Sequence, residues 1–349
     1  MKYNGAIKKV LVYGETFRGS MPHSIMLSLT KLGYKSIIFD YAKYTSNLNG
    51  NLLLRRLGFM MNRYFFKSIC TRVNDNFLKL IDSFEPQLII VVKGFHLQPR
   101  VLHKINKKGI VVVNWHVDDP FNQRYITLNS HDNLALYDIH FSSRPHLFLE
   151  YEKQGAKKVE YLEFCYDESI FYPIKTDKNK RYDVSFVGNW SKYREQMIKH
   201  IAPFFEVHVY GGSWWRASSL KGEKNVYLKN KRADLEEYSR IVSRSKVCLN
   251  FLTYENRDQT NLRNFELPAC GGFQLCNRTD QLEKIFKKDL EICLFDSKNE
   301  MIDKIKFYLK NNIEREKIAN AGSELVALEK HNFTSRCSQV LESAESLYL

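Results

Sequence analysis

Short apolar segments alternate with longer amphipathic segments along most of the chain. In the first half, six apolar segments rich in β-branched and aromatic residues are predicted to be strands: KKVLVYG (8–14), KSIIFDY (35–41), QLIIVVKG (87–94), GIVVVNWHV (109–117), DIHFSS (138–143) and KVEYLEF (158–164). Continuous apolar runs of this length are typical of parallel strands that are covered on both faces. The stretches between them are long enough for crossover helices. The first half therefore predicts a parallel sheet with helices on both sides.

The same alternation starts again after YPIKTDKNKRYD (172–183), a charged segment that we interpret as an interdomain linker. Six further strands are predicted: DVSFVGN (183–189), FEVHVYG (205–211), NVYL (225–228), VCLNFL (247–252), GFQLCN (272–277) and EICLFD (291–296). The pattern predicts an α/β protein with two Rossmann-like, doubly wound parallel-sheet domains facing across a cleft. We expect them to span 1–172 and 183–330, and the C-terminal helix (331–349) to pack back toward the N-terminal domain.

Charge adds a constraint on partners. The 349 residues include 53 Lys and Arg against 39 Asp and Glu, a formal net charge of +14. A basic surface favours polyanions, among them nucleic acid, anionic lipid headgroups and phosphorylated or nucleotide-linked substrates. Solubility alone is the alternative explanation for such a surface.

Cysteine usage and hydropathy predict a cytoplasmic protein. The seven cysteines form no C-x-x-C pair, which argues for a reducing compartment and against a disulfide framework or a zinc site. The first residues lack the apolar core of a signal peptide, and no apolar run reaches the length of a membrane span. The basic, aromatic segment 52–74 could touch the inner face of a membrane, although a crossover helix that packs on the first sheet is favoured.

Ligands of open α/β sheets bind beyond the carboxyl ends of the strands, so the residues after each strand are the candidates for chemistry. The first strand is followed by GETFRGSMPHS (14–24), which lacks the G-x-G-x-x-G fingerprint and disfavours a dinucleotide cofactor. In FVGNWSKYRE, Gly188 and Asn189 precede a predicted helix whose first turn carries Arg194. This arrangement suits an anion, and a plain turn with a solvated arginine is the alternative.

Two further segments of the second half carry candidate residues. In VYGGSWW (209–215), small residues let a ligand approach the backbone, while the tryptophans either stack on a ligand or pack in the core. In NFELPACGGF (264–273), Glu266 lies at the start of a predicted short helix around 263–270. A carboxylate there can accept hydrogen bonds from two vicinal hydroxyls, as in a ribose, and Arg263 lies nearby for a phosphate.

These segments resemble the CgeB-like glycosyltransferases, group-1 glycosyltransferases with the GT-B fold. The run DVSFVGN…R…VYG…LN…RNFE…ACGGF is similar to their C-terminal half. FEPQLIIVVKG resembles their Pro-Asp-hydrophobic strand, with Gln87 in place of the acid, and NWHVDDP resembles their strand that ends in Asp-Asp-Pro. HFSSRPHLFLEYEKQGAKKVEYLEFCYDESIFYP is similar to their segment before the linker. The resemblance covers nearly the whole chain.

The resemblance implies an N-terminal acceptor domain and a C-terminal domain that binds a nucleotide diphosphate sugar. Glu266 would hold the ribose. The other donor-binding residues would be Gly188, Asn189 and Arg194 with Arg263 at the diphosphate, Tyr210 and Gly211 near the base, and Asn250 near the donor. Many relatives have a second acid eight positions before the ribose-binding glutamate. That position is Asp258 here, with Glu255 nearby, and we assign it no role.

The catalytic candidates end the strand GIVVVNWHV in the N-terminal half: His116, Asp118 and Asp119. A carboxylate or imidazole there could take the proton of the acceptor hydroxyl or stabilise positive charge at the anomeric carbon. The alternative is that Asp-Asp-Pro simply forms a turn. The resemblance implies no catalytic metal and no cofactor besides the nucleotide sugar, and its E-x(7)-E relatives retain the anomeric configuration.

The sequence leaves the acceptor open. The leading hypothesis is a saccharide or lipid-linked glycan. One alternative, favoured by the net charge, is a DNA glycosyltransferase that acts on hydroxymethylated bases, as in phage enzymes. The other is a non-catalytic protein that binds nucleotide sugars.

Overall fold

The computed structural model describes residues 6–45, 52–122, 132–175, 182–229, 231–233 and 235–347, without the side chains of 52–67. The chain forms two compact units. One comprises Met1–Glu163 together with Phe333–Leu349, and the other comprises Phe164–Asn332. The sequence-based boundaries were placed at 172 and 183, and most of that linker (176–181) lies outside the described residues.

Each unit contains one six-stranded sheet in which all neighbouring strands are parallel. The first sheet has the order β2-β1-β3-β4-β5-β6 and the second has the order β12-β11-β10-β7-β8-β9. The strands are β1 Lys9–Gly14, β2 Lys35–Asp40, β3 Leu88–Val92, β4 Val111–His116, β5 Ile139–Ser142, β6 Val159–Tyr161, β7 Tyr182–Val187, β8 Val207–Tyr210, β9 Val226–Leu228, β10 Ser245–Asn250, β11 Gln274–Asn277 and β12 Cys293–Phe295.

Helices connect the strands. They are α1 Met21–Lys31, α2 Ala42–Thr45, α3 Leu52–Phe84, α4 Pro99–Lys107, α5 Phe148–Lys153, α6 Lys192–Ile201, α7 Glu236–Arg244, α8 Arg263–Ala269, α9 Asp280–Ile285, α10 Lys298–Lys310, α11 Asn312–Leu328 and α12 Phe333–Glu345. No described helix is long and apolar enough to cross a bilayer. The predicted membrane contact of 52–74 falls largely on side chains outside the described residues and stays a prediction.

The strand pattern follows from burial on both faces. All five residues of β3 are buried, as expected for a continuous apolar run inside a parallel sheet. The two-sheet architecture predicted from the sequence is confirmed. The strand expected at 158–164 is shorter than predicted, because β6 is an edge strand that pairs only with β5 and keeps three residues in the ladder.

The C-terminal helix completes the first unit. α12 packs on α1. Tyr34 directly precedes β2, and its hydroxyl donates to Glu345 Oε1 at 3.2 Å. Arg336 of α12 is buried and its Nε donates to the carbonyl oxygen of Glu163 at 3.0 Å. The chain therefore leaves the first unit after β6 and returns to it for its last helix.

Candidate functional site

The carboxyl edge of the second sheet gathers most of the predicted donor-binding residues. β7 lies between β8 and β10, and the chain leaves β7 first toward β8 and later returns on the other side as β10. Such a switch in strand order opens a crevice that ligands of α/β proteins occupy. Gly188 and Asn189 follow β7, Gly211 follows β8, and Asn250 ends β10.

A buried tryptophan ties the first two of these loops together. Trp215 is completely buried, and its indole Nε1 donates to the carbonyl oxygen of Gly188 at 2.9 Å. A Cβ on Gly211 would lie 2.3 Å from that oxygen and 2.4 Å from the indole nitrogen, so only glycine fits. Trp215 therefore has a core role, whereas the neighbouring Trp214 is 73% exposed.

Substitution of Gly211 by alanine is expected to lower the free energy of unfolding by about 1–3 kcal/mol, because the methyl group collides with backbone that cannot move away. Gly212→Ala is the matched control, since a Cβ there meets its nearest neighbour, Asn189 Oδ1, only at 4.0 Å. Urea denaturation of both variants measures the difference. Equal stability of the two variants would contradict the close packing of these loops.

Arg194 joins the loop after β7 to the loop after β10. Ser191 caps α6 by accepting a hydrogen bond from the Arg194 backbone N–H. The guanidinium Nη1 donates to the carbonyl oxygen of Asn189 at 3.0 Å, and Nη2 donates to the carbonyl oxygen of Phe251 at 3.0 Å and to Thr253 Oγ1 at 3.1 Å. These bonds hold both loops in place, so the structure gives Arg194 a positioning contact that its predicted role at the diphosphate did not include.

Asn250 is similarly occupied by the protein. It is completely buried, and its Nδ2 donates to Asn261 Oδ1 at 3.1 Å and to Gln274 Oε1 at 2.9 Å. Its own Oδ1 accepts from Asn261 Nδ2 at 3.0 Å. The Tyr210 side chain is also buried, and its hydroxyl donates to the Tyr182 hydroxyl at 3.2 Å. Both predicted donor contacts thus have protein partners for their side chains.

The amide network shapes the start of α8. Pro268 lies inside this helix and lacks the N–H that would bond the carbonyl oxygen of Asn264. Gln274 Nε2 donates to that oxygen instead at 3.4 Å, and Asn264 Nδ2 donates to Gln274 Oε1 at 3.1 Å. Sequence reasoning missed this role of Gln274. The available signal was a glutamine inside the otherwise apolar strand segment GFQLCN.

Arg263 and Glu266 lie on α8, which spans nearly the predicted range. Arg263 Nε donates to the carbonyl oxygen of Val187, the last residue of β7, at 2.5 Å. Glu266 is half-buried, and its carboxylate accepts no hydrogen bond from the residues that the structure describes. Burial raises the pKa of Glu266 to about 7, and the positive charge of Arg263 offsets part of that rise. The pair offers a carboxylate acceptor beside a guanidinium at the switch point.

The position of the second family acid has a local role. Asp258 Oδ2 accepts from the backbone N–H of Thr253 at 3.3 Å, and its Oδ1 accepts from Asn256 Nδ2 at 2.7 Å. These bonds close the loop after β10. They favour a structural role for this acid.

In the first unit, the predicted catalytic residues lie at the end of β4 or directly after it, and they have different environments. Asp118 Oδ2 lies 2.6 Å from Lys93 Nζ, and both side chains are partly exposed. Asp119 is 2% exposed, and its Oδ1 accepts from the backbone N–H of Phe121 at 2.9 Å, as the turn alternative expects. Sequence reasoning missed Lys93, although its position directly after β3 was the available signal.

His116 ends β4 and stacks on His140 at a ring-centroid distance of 5.9 Å. Burial lowers its pKa well below the ordinary value, and the neighbouring His140, Arg144 and Lys93 lower it further. Arg144 is itself buried and donates from Nη1 to the carbonyl oxygen of Val117 at 3.1 Å. His116 is therefore neutral near pH 7 and can exchange hydrogen bonds there, but it is a weak base.

Within the described ranges, no group of three or more His, Cys, Asp or Glu side chains is arranged to hold a metal ion. The expected independence of metal is a statement about the reaction and stays a prediction.

Comparisons with known proteins relate part of the chain to a known family. Residues 192–342 match the family model described as "Glycosyl transferase-like". The spore protein CgeB of Bacillus subtilis is 22% identical over 258 residues, which cover 70% of this chain and 78% of CgeB.

Three solved structures share the fold at low identity. Sucrose-phosphate synthase of Thermosynechococcus elongatus has a TM-score of 0.71 at 12% identity, over 98% of this chain and 99% of that one. HepE of Anabaena in complex with UDP-glucose has a TM-score of 0.62 at 12% identity, over 97% of this chain and 99% of HepE. UDP-GlcNAc 2-epimerase of Neisseria meningitidis bound to UDP-GlcNAc has a TM-score of 0.55 at 13% identity, over 97% of this chain and 100% of the epimerase. The chain therefore has the GT-B fold, contains a glycosyl transferase-like domain over residues 192–342, and is a distant relative of CgeB.

Proposed function

We propose that the chain transfers a sugar from a nucleotide diphosphate sugar to the hydroxyl of a saccharide or lipid-linked glycan. The observation that carries the proposal is Glu266: a half-buried carboxylate with a pKa near 7, beside Arg263, at the switch point of the second sheet. Placing a carboxylate in such surroundings costs stability, and strongly perturbed groups of this kind cluster at functional sites. Glu266 also lies inside the region that matches the glycosyl transferase-like family.

The ribose and the diphosphate of the donor each have a proposed partner. Glu266 accepts hydrogen bonds from the ribose hydroxyls. Arg263 holds the diphosphate together with the backbone of Gly188 and Asn189 at the start of α6, where N–H groups and the helix dipole favour an anion. The guanidinium of Arg263 suits this role because, within the described part of the chain, its one hydrogen bond is the bond from Nε to the carbonyl oxygen of Val187.

Four of the predicted donor-binding residues act indirectly in this proposal. Arg194 and Asn250 fix the loops that carry the donor contacts, through the bonds from their side chains to protein atoms. Gly211 lets the loop after β8 pack closely against Gly188 and Trp215. Tyr210, the last residue of β8, is held in place by the hydrogen bond from its hydroxyl to the Tyr182 hydroxyl.

The first unit supplies the acceptor side in this proposal. Asp118 takes the proton of the acceptor hydroxyl or stabilises the charge that develops at the anomeric carbon, and neutral His116 hydrogen-bonds the reacting sugar. Asp119 shapes the turn through Phe121 rather than contacting substrate. The diphosphate is held by side chains and backbone, so no metal is needed, and the anomeric configuration is retained.

The family match favours transfer over other chemistry on the same fold. UDP-GlcNAc 2-epimerases also share this fold, so the fold alone does not select a reaction. The match of residues 192–342 to a glycosyl transferase-like family, together with the similarity to HepE bound to UDP-glucose, supports a sugar transferase that uses a nucleotide-linked donor.

A thermal-shift panel of UDP-, GDP-, dTDP- and CMP-sugars, with and without EDTA, tests the proposal. We expect one nucleotide sugar to raise the melting temperature, because a ligand at 100 times its dissociation constant stabilises the native state by about 2.7 kcal/mol. The shift should persist in EDTA, and the free monosaccharides serve as controls. Failure of the whole panel would contradict the proposed donor, and loss of the shift in EDTA would contradict metal independence.

A further inference from the structure

The first turn of α7 brings a buried tyrosine to the edge of the second sheet that carries Glu266. α7 leads directly into β10, whose first residue is Ser245. A crossover helix runs back along the sheet before the strand that follows it, so α7 begins at the edge where β7 and β10 end. Tyr238, in the first turn of α7, therefore lies at the carboxyl edge.

Tyr238 packs among the residues that hold the proposed donor contacts. It is 4% exposed and belongs to one buried cluster with Val187 and Leu267. Val187 provides the carbonyl oxygen that receives Arg263, and Leu267 follows Glu266 in α8. Phe171 lies edge-on against the Tyr238 ring, with centroids 5.3 Å apart at 83°. The position of the ring is thus defined by packing on several sides.

The hydroxyl of Tyr238, in contrast, has no hydrogen-bond partner among the described residues although its oxygen is buried. The buried hydroxyl of the next residue in α7 does have a partner, as most buried hydroxyls do: Ser239 Oγ donates to the carbonyl oxygen of Ile170 at 3.1 Å. A buried hydroxyl without a partner costs about 1–3 kcal/mol and calls for an explanation. Glu266 is a charged group that affects this hydroxyl: burial raises the pKa of Tyr238 most, and the negative charge of Glu266 raises that pKa further.

Glu266 and Tyr238 lack complementary partners at the same place. The carboxylate accepts no hydrogen bond from the described residues, and the hydroxyl neither donates nor accepts one. A vicinal diol satisfies both groups. Its two hydroxyls donate their protons to the carboxylate, and an oxygen lone pair of the diol then accepts the proton of the tyrosine.

We propose that Tyr238 binds the ribose of the donor together with Glu266, so that the substrate is a ribonucleoside diphosphate sugar and not a 2′-deoxyribonucleoside diphosphate sugar. This inference rests on the proposed function and narrows its donor class. A ribose that lacks its 2′-hydroxyl leaves buried polar groups unpaired, and sites built around a hydroxyl discriminate strongly against analogues without it.

Isothermal titration of UDP, GDP and their 2′-deoxy forms into the full chain tests the inference. We expect the wild type to bind one ribonucleotide at least about tenfold more tightly than its 2′-deoxy form. Tyr238→Phe should lose about tenfold in affinity for that ribonucleotide and keep its affinity for the 2′-deoxy form. Tyr308→Phe is the matched control, because Tyr308 is a buried tyrosine of α10 in the core of the same unit.

The outcomes separate the inference from the proposed function. If the wild type binds the 2′-deoxy form as tightly as the ribonucleotide, or if Tyr238→Phe keeps the wild-type preference, the role of Tyr238 is overturned and nucleotide binding stands. If the wild type binds neither the nucleotides nor the sugar panel, both proposals are overturned. Ligand-free Tyr238→Phe should melt no lower than the wild type, since the change removes only an unpaired buried hydroxyl. A lower melting temperature would contradict the absence of a protein partner.

Discussion

Replacing Glu266 by glutamine is expected to weaken binding of the nucleotide sugar by roughly 10- to 100-fold, because a hydrogen bond to a charged group contributes about 1.5–3 kcal/mol. The amide keeps one acceptor oxygen and replaces the other with a donor, so it cannot accept from both ribose hydroxyls. Titration calorimetry with the donor found in the sugar panel measures the loss. An unchanged affinity would remove Glu266 from the site.

The same variant should abolish a pH dependence of binding. The Glu266 carboxylate must be ionised to accept two hydrogen bonds, and its pKa is raised to about 7. Donor affinity of the wild type should therefore increase between pH 6 and pH 8, about one unit on either side of that pKa, and then level off. Glu266→Gln should bind weakly and with little change across this range. Glu316→Gln, at an exposed glutamate of α11, is the control that should follow the wild type.

The stability of the ligand-free protein, unlike the donor affinity, should decrease as the pH rises. The folded-state pKa of Glu266 is raised above the ordinary value of 4.5, so its protonated form is favoured in the folded state. The raised pKa of Glu266 therefore stabilises the folded state fully below about pH 4.5. This stabilisation is lost as the pH rises through about 7, and it amounts to at most about 3 kcal/mol for complete burial. Glu266→Gln removes this loss and should melt above the wild type at pH 8, with a smaller difference at pH 5. A lower melting temperature at pH 8 would indicate that the carboxylate has a stabilising partner.

The fold was predictable from the sequence because parallel strands that are buried on both faces appear in it as continuous apolar runs. β3 (LIIVV) has no polar position and β4 begins with three valines, and the residues after such strands fall at the carboxyl edge by the geometry of parallel sheets. The positions of Arg263 and Glu266 at that edge follow from the same rule. Local pattern therefore located the candidate site.

Side-chain partners were not predictable, because they depend on contacts between segments far apart in the chain. Arg194 bonds the carbonyl oxygen of Phe251, 57 positions away, and its sequence neighbours give no sign of this. The family resemblance implied that Asn250 lies near the donor, yet its amide pairs with Gln274 in the next strand of the sheet. Tyr238 was not among the candidates predicted from the sequence, and only the three-dimensional structure shows that its buried hydroxyl has no hydrogen-bond partner among the described residues.

Asp118 and Asp119 are adjacent in the sequence, but their different contacts predict different effects of substitution. Asp118→Asn is expected to lower kcat by about 10²–10³-fold with little change in donor affinity, because the variant loses the charge proposed to act on the acceptor. Stability should change little, since the ion pair with Lys93 is partly exposed and such pairs contribute about 0–1 kcal/mol.

Asp119→Asn provides the contrast with Asp118→Asn. Asp119 is buried and accepts from the backbone N–H of Phe121. An amide oxygen accepts this bond more weakly than a carboxylate oxygen does, so the change should lower the melting temperature and leave most of the turnover of the folded protein. Initial rates with a saturating donor, together with melting curves of both variants, separate the two effects. A large loss of kcat in Asp119→Asn with normal turnover in Asp118→Asn would reverse the assignment. A wild type that binds the donor but neither transfers nor hydrolyses its sugar would instead support the non-catalytic binding protein.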